Sequence, residues 1–264
     1  MNIAWFRRGS APVLAAVLLL ASSVSVSAQS ALLDYNLDLV STYVSRGVDY
    51  FTGVQDQDGA EHVAFNMAPA VQPALTLYGP GGLSFGLWGS FALTNRGEDE
   101  GSLKDLDEVD YTLAWDWANR LGAFTVGLSH YATVPQKLAP AVTSEVFVTW
   151  GPTFLEGLSP SVSHYSDLAS SAAYTSFGIG GGEALTWAAS LGLGTRGVQD
   201  VTASVGAGLG ASMSVAFNLA YRPTPAAVGP YDSEGKYTTG KGEAADYPPA
   251  IFWLSLSYGG SVTE

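Results

Sequence analysis

The side chains best suited to nucleophilic or acid–base chemistry are few in this sequence. It has no cysteine and three histidines, His62, His130 and His164. Ser166 follows His164 by two residues, a spacing that puts both side chains on the same face of a β-strand. A serine beside a histidine is one route to an activated nucleophile. Serine is common along the whole chain, however, so we predict no catalytic residue and no enzyme, and keep a Ser/His hydrolase as an alternative.

Carboxylates are the other group of side chains that could take part in catalysis or metal binding. The stretch "EDEGSLKDLDEVD" holds seven acids opposed only by Lys104. They are Glu98, Asp99, Glu100, Asp105, Asp107, Glu108 and Asp110. A second, shorter stretch contains Asp56, Asp58 and Glu61. Clustered carboxylates suit hard divalent cations, but a solvated loop explains both stretches better. The metal question stays open, and no cofactor is predicted.

The start of the chain predicts export. Arg7 and Arg8 precede the apolar run "APVLAAVLLLA", and "VSA" precedes Gln29. This is the pattern of a secretory signal peptide over residues 1–28, cleaved to leave 264 − 28 = 236 residues, 29–264, as one domain. Two of the 11 basic residues and none of the 24 acidic ones lie in the signal, so the mature net charge is 9 − 24 = −15. That charge argues against nucleic acid as a partner.

A period of two in side-chain size dominates the mature chain. In "HVAFNMAPAVQPALTLYG" large apolar residues or prolines alternate with small or polar ones, and neither set contains a charge after His62. A period of two indicates a β-strand. We identify twelve such segments, at about 35–46, 62–78, 83–94, 108–118, 123–132, 143–151, 158–166, 172–180, 184–195, 200–209, 212–222 and 250–258. Most have the length that a tilted strand needs to cross a bilayer, about 9–11 residues.

The connections indicate how these segments are arranged. Links from odd to even segments are long or polar, whereas links from even to odd segments are mostly tight, for example "GPGG" and "NRLG". This sorting is typical of a transmembrane barrel. The predicted fold is therefore all-β: a single antiparallel transmembrane β-barrel of about 12 strands, with short periplasmic turns and longer extracellular loops. Its large side chains face lipid and its small ones face a lumen.

The first segment carries a family resemblance. "LDLVSTYVSRGVDY" contains Val40, Ser41, Tyr43, Arg46 and Gly47 in the order V-S-x-Y-x-x-R-G. It resembles the first strand of TorF-type porins, bacterial outer-membrane β-barrel proteins of poorly defined function. This resemblance implies an outer-membrane barrel and a pore, and it carries over no catalytic residue. Asp49 and Tyr50 depart from the polar pair common in that family, and "GGSVTE" follows the last segment where many outer-membrane chains end on an aromatic residue.

The phase of each segment predicts which side chains line the lumen. They are Asp38, Arg46, Ser90, Asp110, Thr112, Asp116, Glu145, Ser190 and Asn218. Arg46 has two interpretations: a pore-lining cation that helps to set selectivity, or a structural ion pair with a nearby acid, for instance Asp38 or Asp49. Because acids outnumber bases at these positions, we expect a weak preference for cations.

These features predict a passive pore for small solutes in the outer membrane of a diderm, Gram-negative bacterium. Its expected partners are outer-membrane lipids, lipopolysaccharide, the outer-membrane assembly machinery and the solutes themselves. A structural or adhesive barrel without transport, and an outer-membrane lipid hydrolase, are the alternatives.

Overall fold

The computed structural model describes the residues that form the barrel and its nearest connections. These are residues 31–50, 67–94, 96, 107–133, 143–155, 157–170, 172–195, 197–223, 237–238, 244–245 and 250–263. The predicted signal peptide, His62 and the acids Asp56, Asp58, Glu61, Glu98, Asp99, Glu100 and Asp105 lie outside them. No helix in this part of the chain is long and apolar enough to cross a membrane.

Twelve strands form one closed sheet. They are β1 (Ala31–Val40), β4 (Ala70–Tyr78), β5 (Leu83–Ala92), β6 (Glu108–Asn119), β7 (Gly122–Thr133), β8 (Thr143–Gly151), β9 (Ser161–Asp167), β10 (Ala173–Gly181), β11 (Leu185–Gly194), β12 (Gly197–Gly208), β13 (Met213–Tyr221) and β16 (Ala250–Thr263). Two two-residue hairpins complete the described strands: β2 (Val44–Ser45) with β3 (Val48–Asp49), and β14 (Tyr237–Thr238) with β15 (Ala244–Ala245).

Each strand of the barrel pairs with its neighbours in the chain, and β1 closes the ring by pairing with β16. All twelve pairings are antiparallel. The predicted fold, an antiparallel barrel of twelve strands, is therefore confirmed.

The two faces of the sheet differ as the alternation predicts. Large apolar side chains on the outward face are exposed, including Leu113 at 56%, Val205 at 49% and Phe177 at 46%. The inward face carries small and polar side chains that bond to one another across strand pairs, such as Thr112 to Ser129. An apolar exterior around a polar interior is the reverse of a soluble barrel and the surface that lipid requires.

The barrel has two distinct rims. The first, which we call the turn rim, holds the start of β1, the end of β16 and the connections 79–82, 120–121, 152–160, 182–184 and 209–212. The second, which we call the loop rim, is the opposite end, where β1, β5, β7, β9, β11 and β13 end and β4, β6, β8, β10, β12 and β16 begin. Between the strands at this rim, 168–172 and 195–196 are short, and the turn-rim connection 152–160 has as many residues as 134–142.

Aromatic side chains in the outward-facing phase form a belt near the turn rim, in which Trp117 and Phe124 are themselves buried by their neighbours. Trp117 stacks on Phe124 with ring centroids 5.3 Å apart, and Phe124 stacks on Trp150 at 6.2 Å. Trp115 and Trp150 donate their indole N–H groups to the carbonyl oxygens of Gly81 and Leu121 in the turns. Rings with an apolar body and a bonded polar edge are typical of a membrane interface. Tyr43, which we expected in such a belt, is instead buried inside the barrel.

The first, second and last segments differ from their predicted bounds. β1 ends at Val40 rather than at 46, and residues 41–50 turn into the barrel. β4 begins at Ala70, so Pro69 precedes it. β16 continues through Gly259 and Gly260 to Thr263, since these residues pair with the first residues of β1. An ideal Cβ on Gly259 would lie 2.8 Å from the Asn36 side-chain oxygen, which explains a glycine there.

Pro73 lies inside β4, where a proline removes one ladder donor. Pairing of β4 with β5 is interrupted between Val71 and Ala74 without any shift of register. The side chain of Gln72 fills part of the gap by donating to Ser90 Oγ at 3.1 Å. The strand therefore tolerates the proline at the cost of local pairing with one neighbour.

Arginine substitutions test the two faces. At Leu191, on the outward face, arginine should lower the free energy of unfolding by about 2–4 kcal/mol if the site lies near the bilayer midplane. At the adjacent Ser190, which faces the interior, we expect a much smaller loss. Urea unfolding in lipid vesicles, followed by tryptophan fluorescence, measures both. Equal losses would show that the faces are assigned wrongly.

Candidate functional site: a hairpin across the lumen

The main feature of the interior is the short hairpin formed by β2 and β3. Val44 pairs with Asp49 and Ser45 with Val48, which leaves Arg46 and Gly47 as a two-residue turn. Both have positive φ, 49° and 76°. This is the conformation of the type I′ turn, whose twist matches that of a hairpin. Arginine in this region costs about 1–2 kcal/mol, so contacts made by the tip must offset that cost.

The hairpin crosses the lumen. In the closed order of strands, β9 is six places from β1 in either direction, and therefore opposite it. The chain leaves β1 at Val40, yet the Arg46 guanidinium lies 4.7 Å from the ring centroid of Tyr165 on β9. Only a path through the interior joins these points. We call residues 41–50 the lumen hairpin.

Arg46 is held on three sides. Its Nη1 and Nη2 atoms donate to Oε1 and Oε2 of Glu145 at 2.8 and 2.5 Å. Its guanidinium also lies between two rings, since the Tyr174 centroid is 4.8 Å away, close to the distance for Tyr165. A bidentate carboxylate and cation–π contacts are the interactions that guanidinium makes best.

The charge on Arg46 is stabilised by its partner. Burial by itself lowers the pKa of the guanidinium, but the hydrogen bonds and charge of Glu145 raise the pKa above its usual value. Tyr131 donates its hydroxyl to Glu145 Oε2 at 2.8 Å, which fixes the carboxylate as well. The ion-pair interpretation of Arg46 therefore fits the geometry, with Glu145 as partner instead of Asp38 or Asp49.

The tip packs closely against β12. An ideal Cβ on Gly47 would lie 2.6 Å from Asp200 Cβ and 3.2 Å from Arg222 Cγ. Asp200 is fully buried and accepts the Tyr174 hydroxyl at 3.1 Å. Gln199 donates to the Arg46 carbonyl oxygen at 3.2 Å. The tip thus has no room for a side chain at position 47.

The base of the hairpin is fixed separately. Thr42, which is fully buried, donates to Asp49 Oδ1 at 2.8 Å. Tyr43 stacks on Tyr50 and donates to Glu108 Oε2 at 2.8 Å. Burial raises the pKa of Tyr43 and the Glu108 carboxylate raises it further, so the phenol stays protonated as a donor.

An unfilled space of about 460 Å³ remains between the hairpin and one wall of the barrel. That wall is made by β10 to β13, whose inward residues are small, for example Gly178, Ala188 and Ser204. Trp253 of β16 completes the lining. Two features therefore define the lumen: a hairpin bound to Glu108 and Glu145, and a cavity beside it that is lined by small and hydroxyl side chains.

The residues predicted to line the lumen have the following positions. All eight that lie on strands face inward: Asp38, Ser90, Asp110, Thr112, Asp116, Glu145, Ser190 and Asn218. Only Ser190 and Asn218 of these border the cavity. Glu145 bonds the hairpin, and Ser90 is fully buried against Gln72. That they line a conducting path stays a prediction.

The predicted position of Arg46 is wrong. The phase argument placed it on the first strand, but it lies at the tip of the hairpin because β1 ends at Val40. Sequence reasoning also missed its aromatic and acidic surroundings, Tyr131, Tyr165, Tyr174 and Asp200. The dipeptide Arg46-Gly47 between two valine-containing pairs was a hairpin signal, since glycine favours such turns.

Two patterns with possible chemistry have structural explanations. Residues 82–86 fit G-x-S-x-G, but Ser84 lies within β5 and bonds to Asp116, away from the strand-to-helix turn that this pattern needs. Among the described residues, no group of three or more His, Cys, Asp or Glu side chains is placed to hold a metal ion. Asp107, at the end of the acidic stretch, pairs with Arg96 at 2.8 Å.

Comparison with known proteins gives remote similarity only. No family model matches the chain, and no curated protein matches it. Among solved structures, the chain is similar to the KdgM porin, with 8% identity and a TM-score of 0.48 over 86% of this chain and 97% of that one. The NanC porin gives 7% and 0.47 over 88% and 100%. Outer membrane phospholipase A from Escherichia coli gives 9% and 0.47 over 88% and 90%.

A substitution at the hairpin tip tests its docking. Gly47→Ala should lower the free energy of unfolding by clearly more than the cost of a positive φ, about 1–2 kcal/mol, because its Cβ meets Asp200. Gly81 is the matched control, with φ +71° and no atom within 4 Å of an added Cβ. Gly81→Ala should show the conformational cost alone. The free energy of unfolding of both variants, measured in the same detergent, decides the question, and equal losses would show that the tip is not packed.

Proposed function

We propose that this protein is an outer-membrane channel for small polar solutes, with the lumen hairpin as its constriction. The observation that carries the proposal is the interior: hydroxyl side chains, Asn218 and small apolar residues line a cavity of about 460 Å³ that the hairpin leaves unfilled. A barrel with a purely structural role has no need of an open interior. Barrels of eight strands are just filled by side chains, and twelve strands leave more space.

The proposed location follows from the outward face. The apolar band of exposed side chains and the aromatic belt fit a bilayer, and closure of the sheet satisfies every strand edge there. The export signal predicted over residues 1–28 fits the outer membrane of a diderm bacterium. Membership of the TorF-type porins, like the export signal, remains a prediction. The partners proposed with this location are lipids, lipopolysaccharide and the assembly machinery.

A structural barrel is the second candidate, and one observation favours it. The lumen hairpin contacts residues on β5, β6, β8, β9, β10 and β12, and Thr42 and Asp49 are almost fully buried. A hairpin fixed at so many points can act as a permanent plug. Single-channel recording in a planar bilayer separates the candidates: steps of current support the channel, and a silent, correctly folded barrel supports the plug.

Removal of the carboxylate that holds Arg46 tests the constriction. Glu145→Gln keeps the size of the side chain but weakens its bonds to Arg46, so we expect a larger single-channel conductance in KCl. Asp116→Asn is the matched control, since it removes one inward carboxylate that bonds to Thr125 and Ser84 and not to the hairpin. It should leave the conductance equal or slightly lower. A similar fall in both variants would count against the hairpin as the constriction.

Ion selectivity tests the charge of the lumen. Inward carboxylates outnumber guanidinium groups among the described residues, and rings of acids select cations. The carboxylates are Asp34, Asp38, Glu108, Asp110, Asp116, Glu145, Asp167 and Asp200, and the cations near them are Arg46 and Arg222. We expect a weak cation preference that is stronger at about 0.1 M than at about 1 M salt, where the Debye length falls from about 10 to about 3 Å.

Reversal potentials across a KCl gradient measure this preference. The triple variant Asp38→Asn, Asp110→Asn, Asp116→Asn should lose most of it. Glu183→Gln, in an exposed turn, should leave it unchanged. Anion preference in the parent protein, or no change in the triple variant, would contradict the proposed role of these acids.

A further inference from the structure

A group of polar side chains interrupts the apolar outward face near the loop rim. It comprises His130 on β7, Ser144 on β8, His164 and Ser166 on β9, and Thr175 on β10, and we call it the outer polar cluster. Its members face outward with the exposed Val146, which is directly opposite Ser166, and Phe177, which follows Thr175 by two residues. Because β9 ends at Asp167, the cluster lies close to the loop rim.

His164 is bonded through both ring nitrogens. Its Nε2 atom lies 3.0 Å from Ser166 Oγ, and its Nδ1 atom lies 2.8 Å from Thr175 Oγ1. With the proton assigned to Nδ1, that N–H donates to Thr175, and Nε2 accepts the hydroxyl proton of Ser166. A hydroxyl, a base that can take its proton and a third group that orients the base are the parts of an activated serine.

We propose that Ser166, His164 and Thr175 form an ester-hydrolase site whose substrates are acyl esters of membrane lipids. All three side chains are partly exposed, so a substrate can approach from the lipid side. The loop rim is the level at which lipid head groups, and the ester bonds beneath them, meet the barrel. The inference rests on the membrane placement proposed above but is independent of conduction through the lumen.

The nearest candidates for oxyanion stabilisation are side chains. The backbone N–H groups of Asp167 and Leu168 already bond to the carbonyl oxygens of Ala172 and Ser144. Ser144 stands diagonally from Ser166 across the β8–β9 pair, a separation of about 7–8 Å between Cα atoms. Its hydroxyl is 2.9 Å from His130 Nδ1. If that nitrogen donates, the Ser144 hydroxyl is left to donate to a carbonyl oxygen placed between the two serines.

The reaction then follows ordinary acyl transfer. Ser166 Oγ attacks the ester carbonyl carbon while its proton passes to His164 Nε2. The bond between that carbon and the alcohol oxygen breaks, and His164 returns the proton to the leaving alcohol. Water, deprotonated by His164, then attacks the acyl-serine, which releases the fatty acid and restores Ser166. Thr175 acts as a positioning residue by holding the imidazole in the required tautomer.

Covalent labelling gives a direct test. The full-length protein, folded in detergent micelles, is treated with an alkyl fluorophosphonate, and the modified residue is identified by mass spectrometry. We expect modification of Ser166 that is lost in Ser166→Ala and in His164→Ala. Ser163→Ala is the matched control on the same strand, because Ser163 faces inward and bonds to Thr149. It should be modified at Ser166 like the parent protein.

Turnover of p-nitrophenyl octanoate provides the second measurement. His164→Ala, which removes the base, should lower kcat at least about 100-fold. Thr175→Val should lower kcat and shift its pH profile, but Ser166 should still be labelled. Heat-modifiable gel migration confirms that each variant is folded. No modification of Ser166 in the folded parent protein, or equal turnover by Ser166→Ala, would overturn the proposal. Either result leaves the channel proposal intact, since conductance is measured separately.

Discussion

The structure depends on one constraint: the backbone polar groups of the twelve strands must find their partners within the closed sheet, as the proposed place in a bilayer requires. The sheet meets this constraint by pairing β1 with β16, so that no strand of the barrel has an open edge. Closure also explains the length of β16, which continues past Tyr258 to supply partners for the first residues of β1. Once the ring is closed, every second side chain points into the lumen. The size of these side chains then decides how much of the lumen is filled.

The lumen hairpin is a consequence of that confined interior. Half-buried and charged, Arg46 needs a carboxylate that is itself fixed, and Glu145 with its Tyr131 donor provides one. Removing one member of such a pair leaves an uncompensated charge, which costs more than an exposed pair ever contributes. The ring contacts of Tyr165 and Tyr174 and the close packing of Gly47 against Asp200 add to this attraction. Together they hold a turn whose backbone conformation disfavours arginine.

The two faces of the barrel therefore carry different chemistry. Inside, hydroxyl groups, Asn218 and small apolar side chains line the cavity, and Glu145 holds the hairpin beside it. Outside, the apolar surface is interrupted near the loop rim by imidazole and hydroxyl groups that bond to each other. A polar side chain on a lipid-facing surface is costly unless it is bonded, so the pairing of His164 with Ser166 and Thr175 stabilises the fold whatever else it does. The same bonds also place a nucleophile beside a base.

The sequence by itself determined the strands, their faces and the order of the barrel. A period of two is a local property of the chain, and antiparallel neighbours joined by short turns need no other information, which is why Leu113, Thr112 and Ser190 face as predicted. The path of residues 41–50 could not be found in this way, because the alternation continues through Arg46 while the backbone leaves the sheet. Only the tertiary structure brings Arg46 to Glu145, 99 positions away in the chain, and Thr175 to His164 on the neighbouring strand. Contacts across the lumen and across strand pairs depend on closure and register, which the residues next to Arg46 or His164 do not encode.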